Sequence, residues 1–276
     1  MSIRSIWVIA EKEIRDAKRN RWFVIIAGLF TVLALALSLL GLSGLGTFGV
    51  AGFGRTAASL LNLVLLIVPL MSLLLGAMSI VGEREQGTLV TLLAQPVTVN
   101  EVFFGKYLGI TVAMVATIFL GFGASALMIA KYAGFEQSGD YLILVFFTVL
   151  LGLAYLSLGF CVSIFVKRHA TAVGVALFIW FLFMFLSDLG LMGTAMVLKL
   201  SPGELFWLVL INPAQVFKIA VIGSLQKSLE AFGAAGLYAS ETLGGWLVPV
   251  LSGMMVLWVL LPLLAAFLFF KSRCVE

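Results

Sequence analysis

The chain alternates between long apolar stretches and short polar breaks. A helix needs about 20 apolar residues to cross roughly 30 Å of hydrocarbon. The stretches 22–42, 57–81, 107–130, 141–166 and 246–270 have that length, and a sixth, 170–189, is uninterrupted until Asp188. Another, 205–225, is apolar enough to be mistaken for a span, but Asn212-Pro213 splits it and Lys218 follows. Irregular backbone at membrane depth is tolerated only where it is buried in protein or lines a cavity. This stretch is therefore expected to form two short helices dipping into the outer interface. It belongs to 190–245, the largest non-spanning region, where Ser201-Pro202-Gly203-Glu204 has capping-box spacing with proline at the first helical position. The predicted fold class is all-α, a polytopic membrane protein with six transmembrane helices in a single domain over 1–276.

Residues 1–21 carry a second kind of pattern. Ile3, Ile6, Trp7, Ala10, Ile14 and Ala17 recur at helical spacing, with most charges on the opposite face. An amphipathic helix lying in the cytoplasmic interface accounts for this. Val8 and Ile9 fall off the stripe, which leaves a solvated basic tail as the other reading. The run Trp22–Leu42 is longer than a signal-peptide core and no cleavage site follows, so it is expected to remain as an anchor.

Composition agrees with a membrane protein: 62% of residues are hydrophobic and 11% charged, against about 25% charged in soluble domains. The position of the charge sets orientation. With six spans, Arg4, Lys12, Arg15, Lys18, Arg19, Arg21, Arg84, Lys106, Lys167, Arg168, Lys271 and Arg273 share one side, and only Arg55, Lys131, Lys199, Lys218 and Lys227 fall on the other. The positive-inside rule then places both termini in the cytoplasm. A seventh span would move Lys271 and Arg273 outside. The net charge of +4 is scattered and gives no support for nucleic-acid binding.

The inventory of reactive groups excludes most enzymes. His169 is the only histidine, so no HExxH motif or His–His metal pair can form. Cys161 and Cys274 are isolated, with no CxxC pair. No GxxxxGK[ST] sequence exists, and "GKY" at 105–107 lacks the upstream glycine and the hydroxyl. Nothing here binds ATP by that route, and neither a catalytic group nor a cofactor or metal site is expected. Asp188 is the only acid well within a span, and reads either as a functional ionisable group or as an interfacial residue. Met71 and Met78 on one helix face, with Met184, Met254 and Met255 elsewhere, read as a soft-metal relay or as core fillers.

The longest polar interruption is "GEREQGTLVTLLAQP" at 82–96. Glu83 and Glu85 are expected where the second span ends and a new helix begins, favoured by the positive end of its dipole. Leu89, Leu92 and Leu93 give that helix an apolar face, Pro96 ends it, and Thr98…Glu101 has capping-box spacing for the next. Such a helix suits docking into a partner's groove, although an ordinary interfacial loop helix has the same composition.

The stretch "GEREQGTLVTLLAQPVTVNEVFFGKYLG" resembles the E-R/K-E-x-G-T-L-x-x-L-L-x-x-P…K signature of ABC-2-type permeases, the membrane subunits of ABC transporters with separate ATPase chains. The match falls on Glu83, Arg84, Glu85, Gly87, Thr88, Leu89, Leu92, Leu93, Pro96 and Lys106, with Val90 standing where an acid is common. The resemblance implies the type V ABC permease fold in the bacterial inner membrane: an N-terminal interfacial helix, six spans, 82–96 as cytoplasmic coupling helix, and a large outer segment between spans five and six. It also implies a homodimer with two copies of a cytoplasmic ATPase, which would hold the ATP and Mg. The segments "IRSIWVIAEKEIRDAKRNRWF" and "SPGELFWLVLINPAQVFKIA" are similar, within that family, to permeases serving copper-site maturation of nitrous oxide reductase. A periplasmic β-helical copper-handling protein is the further partner implied. Export of another substrate, such as a sulfur species, drug or lipid, is the alternative. On this reading Phe206, Trp207, Asn212, Pro213, Phe217 and Tyr238 are expected to contact the periplasmic partner, or else to cap the spans at the lipid interface.

Overall fold

The computed structural model describes residues 2–43, 51–133, 138–190, 193, 201–226 and 233–275. Among them every regular element is helical. The order is α1 (Ile3–Arg19), α2 (Arg21–Ser43), α3 (Ala51–Glu85), α4 (Thr88–Leu93), α5 (Val99–Ala133), α6 (Ser138–Phe165), α7 (His169–Phe181), α8 (Pro202–Leu210), α9 (Pro213–Gln226), α10 (Gly233–Leu243) and α11 (Leu247–Val275). Past its last residue α7 continues through a π-helical turn, Leu182–Leu186.

Six helices are long and apolar enough to cross a membrane: Arg21–Gly41, Ala57–Glu85, Val99–Lys131, Ser138–Phe165, His169–Gly190 and Glu241–Ser272. They fall on the six apolar runs. The third starts two turns earlier than its hydrocarbon run because the Thr98–Glu101 capping box forms in both directions: Thr98 N–H donates to Glu101 Oε2 (2.9 Å), and Glu101 N–H donates to Thr98 Oγ1 (3.3 Å).

Burial divides centre from periphery. Of the most apolar stretches, 72% of α3 and 61% of α6 are buried, against 11% of the α7 span and 17% of the α11 span. Two glycines explain why α3 and α6 form the axis. A Cβ on Gly76 would lie 2.9 Å from the Gly159 Cα, and one on Gly159 would lie 2.6 Å from the Leu73 carbonyl oxygen. The backbones therefore meet directly, as small residues allow in membrane helices. Around this axis α2 lies on α3 and α5, α7 on α3, and α11 on α6.

The expectation for α8 and α9 needs correction. The two are bent by 114° at Asn212-Pro213, and α9 is packed inside the bundle rather than on its surface. Val216, Phe217, Ile219, Ala220 and Val221 are fully buried, and α9 packs on α6 and α11. The pair is a sharply bent hairpin whose second limb is core. Its broken backbone is satisfied internally, as membrane depth demands: Asn212 Oδ1 accepts the Ala214 N–H (2.9 Å), its Nδ2 donates to the Phe183 carbonyl (2.7 Å), and Trp258 Nε1 donates to the Leu210 carbonyl (3.2 Å).

Candidate functional site

The polar stretch after α3 assembles the densest ionic site among the described residues. Glu83 sits in the last turn of α3, not at the start of a new helix. Its Oε1 accepts Lys12 Nζ from α1 at 2.6 Å and Lys106 Nζ from α5 at 3.0 Å, and Lys106 also pairs with Glu13 at 2.6 Å. The Lys106 side chain is 1% exposed. An ammonium so far from water is held only where carboxylates neutralise it, and Glu13 and Glu83 do so from two different helices.

The next two residues act on helix ends. Arg84 donates to the Ile164 and Val166 carbonyls (3.2 and 3.1 Å), where α6 ends. Glu85 Oε2 accepts the His169 N–H (2.8 Å), where α7 begins. A cation meets the negative pole of one helix and an anion the positive pole of another. The expected dipole interaction of Glu85 is therefore present, but with α7 rather than α4. Three consecutive side chains thereby join the end of α3 to α1, α5, α6 and α7.

Gly87 turns the chain out of α3 with φ +72°, where a side chain would be strained, and Thr88 Oγ1 donates to the Glu83 carbonyl (3.3 Å). The helix that follows, α4, has only six residues. Leu89 is buried in the chain's own core and Leu92 is half-buried against it. The expectation that Leu89 fills a partner's groove is corrected: it seats α4 on its own bundle. The surface left open consists of Thr88, Thr91, Ala94, Gln95 and Pro96. The side chain of Leu93 lies outside the described residues.

Glu13 and Lys12 are functional candidates that the sequence reading missed. The signal was present, because Glu13 lies three residues after Ala10 and four before Ala17 and so interrupts the apolar stripe of α1 with an acid. The stripe itself shifts. Ile9, Ala10, Glu13 and Ala17 face the bundle, while Ile3 and Trp7 are exposed. The contact is close because α5 offers Gly105 and Gly109: a Cβ at Gly105 would lie 2.8 Å from that of Ile9, and one at Gly109 would lie 2.5 Å from the Ala10 carbonyl oxygen. Beside the cluster is a cavity of about 500 Å³, lined in part by Lys12, Asp16, Asn20, Glu83, Gln86 and His169.

At the opposite end, four of the six expected partner-contact residues are unavailable. Phe206, Asn212, Pro213 and Phe217 are buried within the chain. Side chains at the bend and on the inner faces of this hairpin serve the chain's own packing first. Trp207 is 64% exposed, and Tyr238 is half-buried, packing on Phe206 and Gly203. Ile211 at the bend and Trp246 before α11 are also exposed and were not anticipated. Asp188 pairs with Lys218 at 3.0 Å and accepts from Gln215, which ties the end of the α7 span to α9. Cys161 donates its thiol to the Pro262 carbonyl (2.9 Å), and Met71 and Met255 are buried.

Comparisons with known proteins agree with this architecture. The sequence pattern of the family described as "ABC-2 family transporter protein" matches residues 7–274. The "Probable ABC transporter permease protein NosY" of Stutzerimonas stutzeri is 33% identical over 280 aligned residues, covering 98% of this chain and 99% of the relative. Its namesake from Pseudomonas aeruginosa is 34% identical over 271, covering 94% and 93%. With a matching family pattern over nearly its whole length and relatives at this identity, the chain belongs to the ABC-2 family of ABC transporter permeases.

Proposed function

We propose that this chain is the subunit through which a cytoplasmic ATPase acts across the membrane, and that the event it drives is copper-site maturation of nitrous oxide reductase through a periplasmic copper-handling protein. The observation that carries the first part is the Glu83-Arg84-Glu85 junction. A short helix whose own leucines seat it on the bundle follows three side chains that bind four neighbouring helices, so a push on it reaches them. ATP and Mg belong to the ATPase, two copies of which would serve a dimer of this chain. The second part is supported by the near-full-length similarity to permeases named NosY. Of the expected partner residues Trp207 and Tyr238 remain accessible, and Ile211 and Trp246 extend that surface. With one histidine and two isolated cysteines in the sequence, transmission of work is favoured over passage of copper.

The test uses the open face of α4. Thr91→Asp combined with Gln95→Asp alters two exposed side chains, one on α4 and one just past its end. The expected result is normal membrane insertion with loss of ATPase co-purification and of maturation activity. A double variant that recruits the ATPase, hydrolyses ATP and supports maturation like the parent defeats the coupling assignment.

A further inference from the structure

Lys12 differs from the other members of the ionic cluster. Its side chain is 48% exposed where that of Lys106 is 1% exposed. It also has a choice of partners: Glu83 at 2.6 Å, Glu13 at 3.8 Å and, one turn along its own helix, Asp16 at 3.9 Å. If the end of α3 withdraws by a few ångströms, the Lys12 ammonium can pass to Asp16 and no charge is stranded. The neighbouring cavity, lined by Lys12, Asp16 and Glu83 together, gives that swing room. Lys106 has no such freedom, because Glu13 and Glu83 hold it in the interior. One carboxylate thus carries two unlike joints, a fixed one to α5 and a releasable one to α1.

We propose that Lys12 is a positioning residue of the coupling site, a two-position latch that joins α1 to the end of α3 through Glu83 and releases it by pairing with Asp16. The inference rests on the ATPase-coupling reading above. Displacement of α4 reaches Glu83 through the single turn at Gly87. Release of Lys12 then leaves α1 tied to the end of α3 only through α5, by its glycine contact and by the Lys106 pairs with Glu13 and Glu83. A ligand or ATPase state moves such an equilibrium only by its differential affinity for the two positions.

Two readouts separate the latch from the reading beneath it. A spin label at Val8→Cys, on the exposed side of α1 in a Cys161→Ser, Cys274→Ser background in lipid nanodiscs, reports α1 mobility without needing the ATPase. Lys12→Met is expected to raise the mobile fraction, Lys12→Arg to keep the parent spectrum, and Asp16→Asn to lower it. In the complex with the ATPase, Lys12→Met is expected to lower kcat for ATP about fivefold, the lower end of ordinary coupling energies, with KM and co-purification unchanged, while Lys12→Arg stays near the parent. An unchanged spectrum in Lys12→Met overturns the latch. Altered mobility with parental kcat overturns its role in coupling. Asp16→Asn matching the parent in both readouts overturns the second position. If the parent chain itself fails to bind the ATPase, the coupling reading falls, and the spectra still decide the latch.

Discussion

At the scale of single residues, a motif that reads as a docking helix proves to be mostly a junction. Glu83, Arg84 and Glu85 each find different partners, and the partners lie 23 to 84 positions away in sequence. Removing a buried partner shows the largest effect. Lys106→Met leaves both Glu13 and Glu83 to Lys12 alone, and unpairing a buried charge costs about 3–5 kcal/mol. Thermal unfolding in detergent should show that loss, and a variant as stable as the parent would mean that water already reaches the cluster. Lys12 answers differently to pH. Burial works against its charged form, but the Glu83 hydrogen bond and the charges of Glu83, Glu13 and Asp16 outweigh this and raise its pKa above the ordinary 10.5. A raised lysine contributes stability that is fully present below its unfolded value and lost as pH rises through the folded one. Mobility of the Val8→Cys label should therefore stay flat from neutral pH to about 10.5 and increase above it. A rise near neutral pH would assign the link to another group.

At the scale of elements, glycine decides which helices touch. Gly109→Ala places a methyl 2.5 Å from the Ala10 carbonyl oxygen and 2.6 Å from the Glu13 Cβ, so α1 must lift off α5. Overpacking of this kind costs about 1–3 kcal/mol. Gly28→Ala meets nothing within 4 Å on α2 and should gain roughly 0.5–1 kcal/mol from the better helix former. Denaturant titration of the two variants should move in opposite directions, and equal shifts would mean that the α1–α5 contact is looser than described. The helices themselves were legible because length, hydropathy and caps are local properties: Ser201 and Glu204 form their capping box as spaced, and so do Thr98 and Glu101. The packing of α1 was legible only in part. Periodicity marked an apolar stripe, but Ile9 was counted off it and Glu13 was passed over, because which side of a helix meets its neighbour depends on where that neighbour has no side chains.

At the scale of the whole molecule, the six spans and the clustered basic residues predict one orientation. Reporter fusions at either terminus should be active only in the cytoplasm, and crosslinkers at Trp207, Ile211 and Trp246 should be reachable only from the periplasmic side. A reporter at the C-terminus active only in the periplasm would overturn the six-span topology. Hydrophobicity along the chain by itself determined that this is an all-α membrane protein with six helices of spanning length and a broken seventh apolar segment, since a bilayer selects spans by local apolar length. The E-R-E-x-G-T-L stretch by itself determined the family. Only tertiary structure decided that Glu83 and Lys106 share a buried cluster with Glu13 and Lys12, that Leu89 and Phe217 face inward, and that α9 lies in the core. The physical reason is that a side chain's partner is set by helix crossings between segments tens of residues apart, and those crossings depend on close backbone contacts, such as Gly76 on Gly159, that local pattern does not encode.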